Sequence, residues 1–251
     1  MGRKRTILKI IAVLCAAAFW EIAALAVNSK LLLASPVKVA QRLFEILKGG
    51  GFLSPVWFSF SRIVFGFLSA LLLGTLFAAL AGKFFIAEAL FWPYMVTIKS
   101  VPVASFIVLA LIWFSSSTLS SFTAFLMALP VIYTNVLSGI KSIDVKMTQA
   151  ADVFRTSWLR RLIYIWLPAV KPFLISGCMV ALGLSWKAGI AAEIIGIPEG
   201  SLGERLYYAK VYLNSGDLLA WTVVIVILSV AFEKLFVFLL KQAFKTVEKH
   251  A

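Results

Sequence analysis

The chain reads as an all-α polytopic membrane protein with six transmembrane helices, on three observations. Hydrophobic residues fill 62% of its 251 positions and the mean hydropathy is +0.98, far above a soluble domain of that length. A bilayer core of about 30 Å takes roughly 20 apolar residues of helix, and six stretches qualify as spans: 7–27, 63–81, 87–114, 122–137, 172–192 and 218–240. The formal charge of +13 is unevenly shared among the segments between them. With the N-terminus inside, Arg3-Lys4-Arg5, then Lys141, Lys146, Arg155, Arg160, Arg161 and Lys171, then Lys241, Lys245 and Lys249 fall on one side. The opposite segment 115–120 has no charge, and Glu193, Glu199, Glu204 and Asp217 outnumber Arg205 and Lys210 in the last one. The first outside segment runs against the trend, with Lys30, Lys38, Arg42 and Lys48 against Glu45. That asymmetry points to a membrane protein with both ends inside rather than to a nucleic-acid binder.

The first apolar run comes after Arg3-Lys4-Arg5 and ends at Ala24-Leu25-Ala26, which imitates a cleavable signal peptide. Glu21 interrupts it and the rest of the chain spans membranes, so 7–27 is read as the first span. Ser35-Pro36 then opens an amphipathic helix, serine capping and proline in the first turn, with Ala40, Leu43, Phe44 and Leu47 as its apolar stripe and Gly49-Gly50-Gly51 ending it. The second span places Gly66, Ala70, Gly74, Ala78 and Gly82 at every fourth position, and the fifth repeats this with Gly177, Ala181, Ser185 and Gly189. Small residues let backbones approach closely where lipid supplies no hydrophobic drive. Each step of four drifts by about 40° on a helix, which suits a crossed contact or two successive neighbours. The third stretch is too long for one straight span, and Val101-Pro102-Val103 predicts a break in it.

The polar, basic segment 138–171 carries the most information. Thr148 is placed to cap a short helix on which Ala150, Ala151, Phe154 and Trp158 share one side, while Pro168 and Pro172 stop or kink the chain beyond it. Such a helix has no core of its own and must pack on something. The lipid surface, gripped by the arginines, and a protein partner both satisfy it on periodicity alone.

The spacing selects between them. Gln149-Ala150-Ala151, three residues, Arg155, nine residues and Ile165-x-Leu167-Pro168 resembles the coupling loop of the membrane subunits of binding-protein-dependent ABC importers. That family's pattern reads Glu-Ala-Ala, Gly, Ile-x-Leu-Pro at the same intervals, so Gln149 and Arg155 are the departures. Ser35-Pro36, Ser61-Arg62 through Gly66-Phe67, Pro102, Ala192-Glu193 and Gly200-Ser201-Leu202-Gly203 resemble its nitrate, sulfonate, taurine and thiamine-precursor branch. The resemblance implies a type I importer permease fold, a second permease copy, a cytoplasmic ABC ATPase dimer that uses ATP and Mg, and an external solute-binding protein. It implies a bacterial or archaeal plasma membrane, both termini cytoplasmic, and a small anion or vitamin precursor as solute. Arg155, where the family has Gly, is expected inside a continuous helix, its guanidinium offsetting the charge lost at Gln149.

No phosphate loop of the Gly-x-x-x-x-Gly-Lys-Ser/Thr kind occurs, and the single histidine, His250, supplies neither a metal site nor a nucleophile's base. Cys15 and Cys178 fall inside spans and read as packing residues. An enzyme is disfavoured, and no cofactor is expected in this chain. Within or beside the spans, Glu21, Glu88, Lys99, Lys187 and Glu193 are ionisable, and Lys99, Lys187 and Glu193 are the candidates for a solute pathway. Lys187 reaching out to the interface and Lys99 holding a carbonyl freed by the break is the competing account. Two other functions remain open from residues alone, a gradient-driven transporter or channel and a membrane-embedded assembly factor. Neither needs a helix that docks an ATPase.

Overall fold

The computed structural model describes residues 2–27 and 33–250, with the side chains of 2–6, 9, 10, 13 and 248–250 outside the description. Lys30 and the side chains of Arg3-Lys4-Arg5, Lys249 and His250 therefore lie outside the described residues. Among the described residues the structure is helical: α1 (Gly2–Val27), α2 (Pro36–Lys48), α3 (Leu53–Lys83), α4 (Phe85–Ser100), α5 (Val103–Ala110), α6 (Ser116–Lys141), α7 (Val145–Val153), α8 (Trp158–Arg161), a π turn (Leu162–Trp166), α9 (Leu167–Gly196), α10 (Leu202–Val211) and α11 (Ser215–His250).

Helix α6 is the axis of the bundle, packed along its length by α3 and α9. The small-residue stripes explain why both can approach. A Cβ at Gly66 would stand 2.2 Å from the Ser121 carbonyl, and one at Gly82 would stand 2.7 Å from Ile140. The first stripe thus meets one neighbour from end to end, not two. On α9, Gly177 abuts Asn135, and the Ser185 hydroxyl donates to the Ala124 carbonyl at 3.2 Å. Contacts that ascend together, 66 with 121 and 82 with 140, make α3 and α6 parallel, while 139 with 173 and 119 with 196 make α9 antiparallel. Phe52 with Trp221, Phe60 with Phe232 and Phe67 with Phe236 align α11 parallel to α3. These directions are those of alternating spans.

Four helices are long and apolar enough to cross a bilayer, 53–83, 116–141, 158–196 and 215–247. The pair α4 and α5, bent by 103° at Val101-Pro102, makes a fifth. The expected break is there, but its second arm ends at Ala110 rather than Phe114. The described apolar part of α1, Leu14–Val27, is shorter, so a count of six is not reached on length and composition. Helix α1 touches little of the chain apart from α2; the Trp20 indole donates to the Ala34 carbonyl at 3.1 Å.

Helix α2 is capped as expected, Ser35 accepting the Lys38 N–H, but its packed edge is Val39, Leu43 and Ile46. Phe44 and Leu47 of the expected stripe stay exposed, an arrangement suited to lipid. Arg42 ties α2 to α11 through Asp217 and also pairs with Glu45, and these partners hold its guanidinium above its ordinary range.

Candidate functional site

The segment between α6 and α9 is built by three local devices. Asp144, not Thr148, caps α7 by accepting the Lys146 N–H at 2.9 Å, while the Thr148 hydroxyl donates back to Val145 one turn in. An aspartate at the N-cap satisfies a free amide and meets the helix dipole favourably. The helix therefore starts a full turn earlier than a cap at Thr148 would allow.

At its other end, Thr156 N–H donates to the Ala151 carbonyl at 3.0 Å and Arg155 N–H to Asp152 at 3.0 Å. This is the Schellman pairing, and it requires a left-handed residue at Arg155, whose φ is +47°. The expectation of a continuous helix through Arg155 is overturned. The chain reverses there because the Ala151 carbonyl is saturated by the Thr156 amide, the Thr156 hydroxyl at 2.6 Å and an Arg161 nitrogen at 3.0 Å. Arg161 also donates to the Thr156 carbonyl and pairs with Asp152, clamping the turn from both sides.

The third device is the π turn. Pro168 has no N–H to continue an α-helical ladder, and the chain answers with a wider register in which Leu167 N–H reaches Leu162. Pro168 then sits in the first turn of α9, where a missing amide is harmless, and Pro172 lies inside the helix. The prolines redirect the helix rather than stop it, and 158–196 stays one helical stretch.

Of the motif residues, Ala151 is buried against its own chain at 7% exposure, whereas Gln149 and Ala150 are exposed and Phe154 is 81% exposed. The three apolar residues expected to share a face do not. Trp158 begins the next helix. Ile165 and Leu167 are half-buried and Pro168 exposed. Helix α7 thus rests on one edge, Thr148 and Ala151, and presents Val145, Met147, Val153 and Phe154 outward.

The pathway candidates are separated. Glu193 has no exposed surface and lines no open face. Its Oε2 accepts the Ser59 hydroxyl at 2.6 Å and the Gly203 N–H at 3.2 Å, and Ser59 in turn accepts the Leu202 N–H at 2.9 Å. Ser201 takes the Glu204 N–H, and Glu204 reaches back to the Gly200 N–H at 2.7 Å. The first turn of α10 is thereby satisfied by side chains from α3, α9 and its own cap. Glu193 Oε1 and the neighbouring Ser120 hydroxyl are buried without a hydrogen-bond partner among the described residues.

Lys99 ends α4 at the bend and donates to the Thr134 hydroxyl of α6 at 3.3 Å, on an exposed face. Lys187 stands exposed on α9, on the face that also exposes Val180, and makes no hydrogen bond or ion pair among the described residues. Glu88 instead pairs with Lys141 at 2.5 Å, joining α4 to the end of α6.

Sequence reasoning missed Ser59, Thr134, Asp144 and Arg161. The spacing Ser201-x-x-Glu204 is a readable capping box, but the partners of Arg161 lie five to ten residues away and leave no pattern.

Residues 54–246 match the model of the binding-protein-dependent transport system inner membrane component family. The chain belongs to that family. It is a non-catalytic transport component, a multi-pass permease with the type I importer fold. The permease is 27% identical over 221 residues to the taurine transport system permease TauC of Escherichia coli K12, covering 86% of this chain and 80% of that one. It is 26% identical over 209 residues to a Bacillus subtilis 168 permease named for aliphatic sulfonates, SsuC, covering 82% and 75%. It is 26% identical over 192 residues to the nitrate import permease NrtB of Leptolyngbya laminosa, covering 72% and 67%.

Proposed function

We propose that the permease forms one half of an ATP-driven import pathway for a small anion and receives its driving force through α7. The carrying observation is the outward face of that helix. Phe154 is 81% exposed and Val153 79%, in a segment outside the spans, held to the chain only along Ala151 and Thr148. An apolar face on a rigidly closed loop is built for a protein partner. The partner is a cytoplasmic ABC ATPase dimer that binds ATP and Mg, and this side of the membrane is the cytoplasm, with both termini on it. A second copy of the permease completes the pathway, and an external binding protein delivers solute to the opposite end. Closure of the ATPases moves α7, and α8 with the π turn carries that motion into α9.

The anion reading rests on Lys99. A charge inside a bilayer costs about 2.5–3.5 kcal/mol, and one neutral hydroxyl does not offset that. The exposed face of α6 that carries Thr134 therefore meets water, and a cation waiting there suits a sulfonate, carboxylate or oxoanion. The relatives named for taurine, sulfonates and nitrate are in keeping with that class. The test is uptake into proteoliposomes holding the permease, its ATPase and its binding protein. Uptake of radiolabelled taurine or nitrate should require ATP on the ATPase side; uptake driven by an imposed ion gradient without ATP would refute the reading.

A further inference from the structure

We infer that the cavity between the end of α3 and the Trp158–Trp166 segment binds an anionic phospholipid, with an acyl chain inside and the phosphate at Lys83. The cavity holds about 490 Å³, within the range of sites that accept a small ligand. Leu76, Leu80, Trp158, Ile165 and Trp166 make it apolar, and no acidic residue lines it. Its charged rim consists of Lys83 and Arg161. The Lys83 ammonium lies over the Phe84 ring at 5.2 Å and pairs with no described carboxylate. Arg161 spends three of its five N–H groups on Asp152, Thr156 and Ala151, which leaves two for a ligand.

Two features select a phospholipid over a free phosphate. The lining is hydrocarbon, so a bare anion would gain nothing from it. The cavity also continues the exposed strip of α3, where Leu72 is 71% exposed, Leu76 50% and Leu80 38%, the surface that faces hydrocarbon in a membrane. An acyl chain can slide along that strip into the cavity while its headgroup stays at the interface, where Lys83 ends the helix. The cavity reaches Thr148 of α7 as well. A lipid there bridges α3 to the loop and braces it, whether or not α7 docks an ATPase.

The experiment uses the full-length protein in nanodiscs of phosphatidylcholine alone or with one-fifth phosphatidylglycerol, read by native mass spectrometry and thermal unfolding. Wild type should retain phosphatidylglycerol preferentially and unfold at higher temperature in its presence. Lys83→Gln should weaken retention about fivefold, the factor for one basic residue worth about 1 kcal/mol near an anionic surface. Ala79→Trp, which fills the cavity without touching a charge, should abolish retention, and glycerol phosphate should compete with neither. Equal retention of the two lipids overturns the proposal. So does wild-type retention in both variants, or full competition by glycerol phosphate.

Discussion

The Gly203 amide donates to Oε2 of Glu193 at 3.2 Å, and a Cβ on Gly203 would stand 2.2 Å from the Glu193 Cβ. One carboxylate therefore both caps α10 and fixes how closely α10 sits on α9. Gly203→Ala forces backbone to move and should cost about 1–3 kcal/mol, seen as a lower thermal midpoint in detergent.

Glu193→Ala strands the Ser59 hydroxyl and the Gly203 amide in a buried site, and each group so stranded costs about 1–3 kcal/mol. Glu193→Gln keeps an acceptor in place of Oε2 and puts an amide beside the orphaned Ser120 hydroxyl. The glutamine variant should stay within about 1 kcal/mol of wild type. If glutamine proves as damaging as alanine in thermal unfolding, the charge itself matters and the capping account fails.

Arg155 is held at a φ of +47°, where a side chain costs about 1–2 kcal/mol and glycine nothing. Arg155→Gly should stabilise the loop by about that amount, increasing hydrogen-exchange protection at the Thr156 amide. Docking should be kept or improved. A less protected Thr156 amide would show that the arginine contributes more than its conformation costs.

These two sites mark what the residues alone make legible. The spacing from Gln149 to Pro168 locates the loop, and the four-residue stripes locate tight helix contacts. The partner of a stripe is not readable, because Gly66 and Gly82 record only that something is near. Arg155 misleads for a physical reason: helical propensity argues for continuation, while the bonds that close the turn come from Thr156 and Arg161, further along the chain. Glu193 is legible as an ion at the end of a span, but its partners are remote in sequence, Ser59 in α3 and Gly203 in α10.

Lys99→Gln should leave assembly intact and lower ATP-driven anion uptake, chiefly through a higher KM. Thr134→Val should do less, because Thr134 is one neutral partner of the ammonium. Unchanged uptake in Lys99→Gln, with normal expression, would remove the cation from the pathway.

The helix directions of the bundle also set a topology. Single cysteines at Ser115 and Asn214 should label from outside intact cells, and cysteines at Gln149 and Lys245 should not; all four positions are exposed. External labelling at Gln149 would place α7 away from any cytoplasmic ATPase.

The central claim is that α7 docks its partner through the exposed side while Ala151 holds it to the permease. Phe154→Asp puts a carboxylate where a desolvated contact should form, without touching the capping or the turn. The direct measurement is co-purification of the ATPase with tagged permease, compared between wild type and Phe154→Asp at equal thermal stability. The account predicts an unchanged permease that no longer retains the ATPase and no longer shows solute-stimulated hydrolysis. Full retention with normal hydrolysis would contradict it.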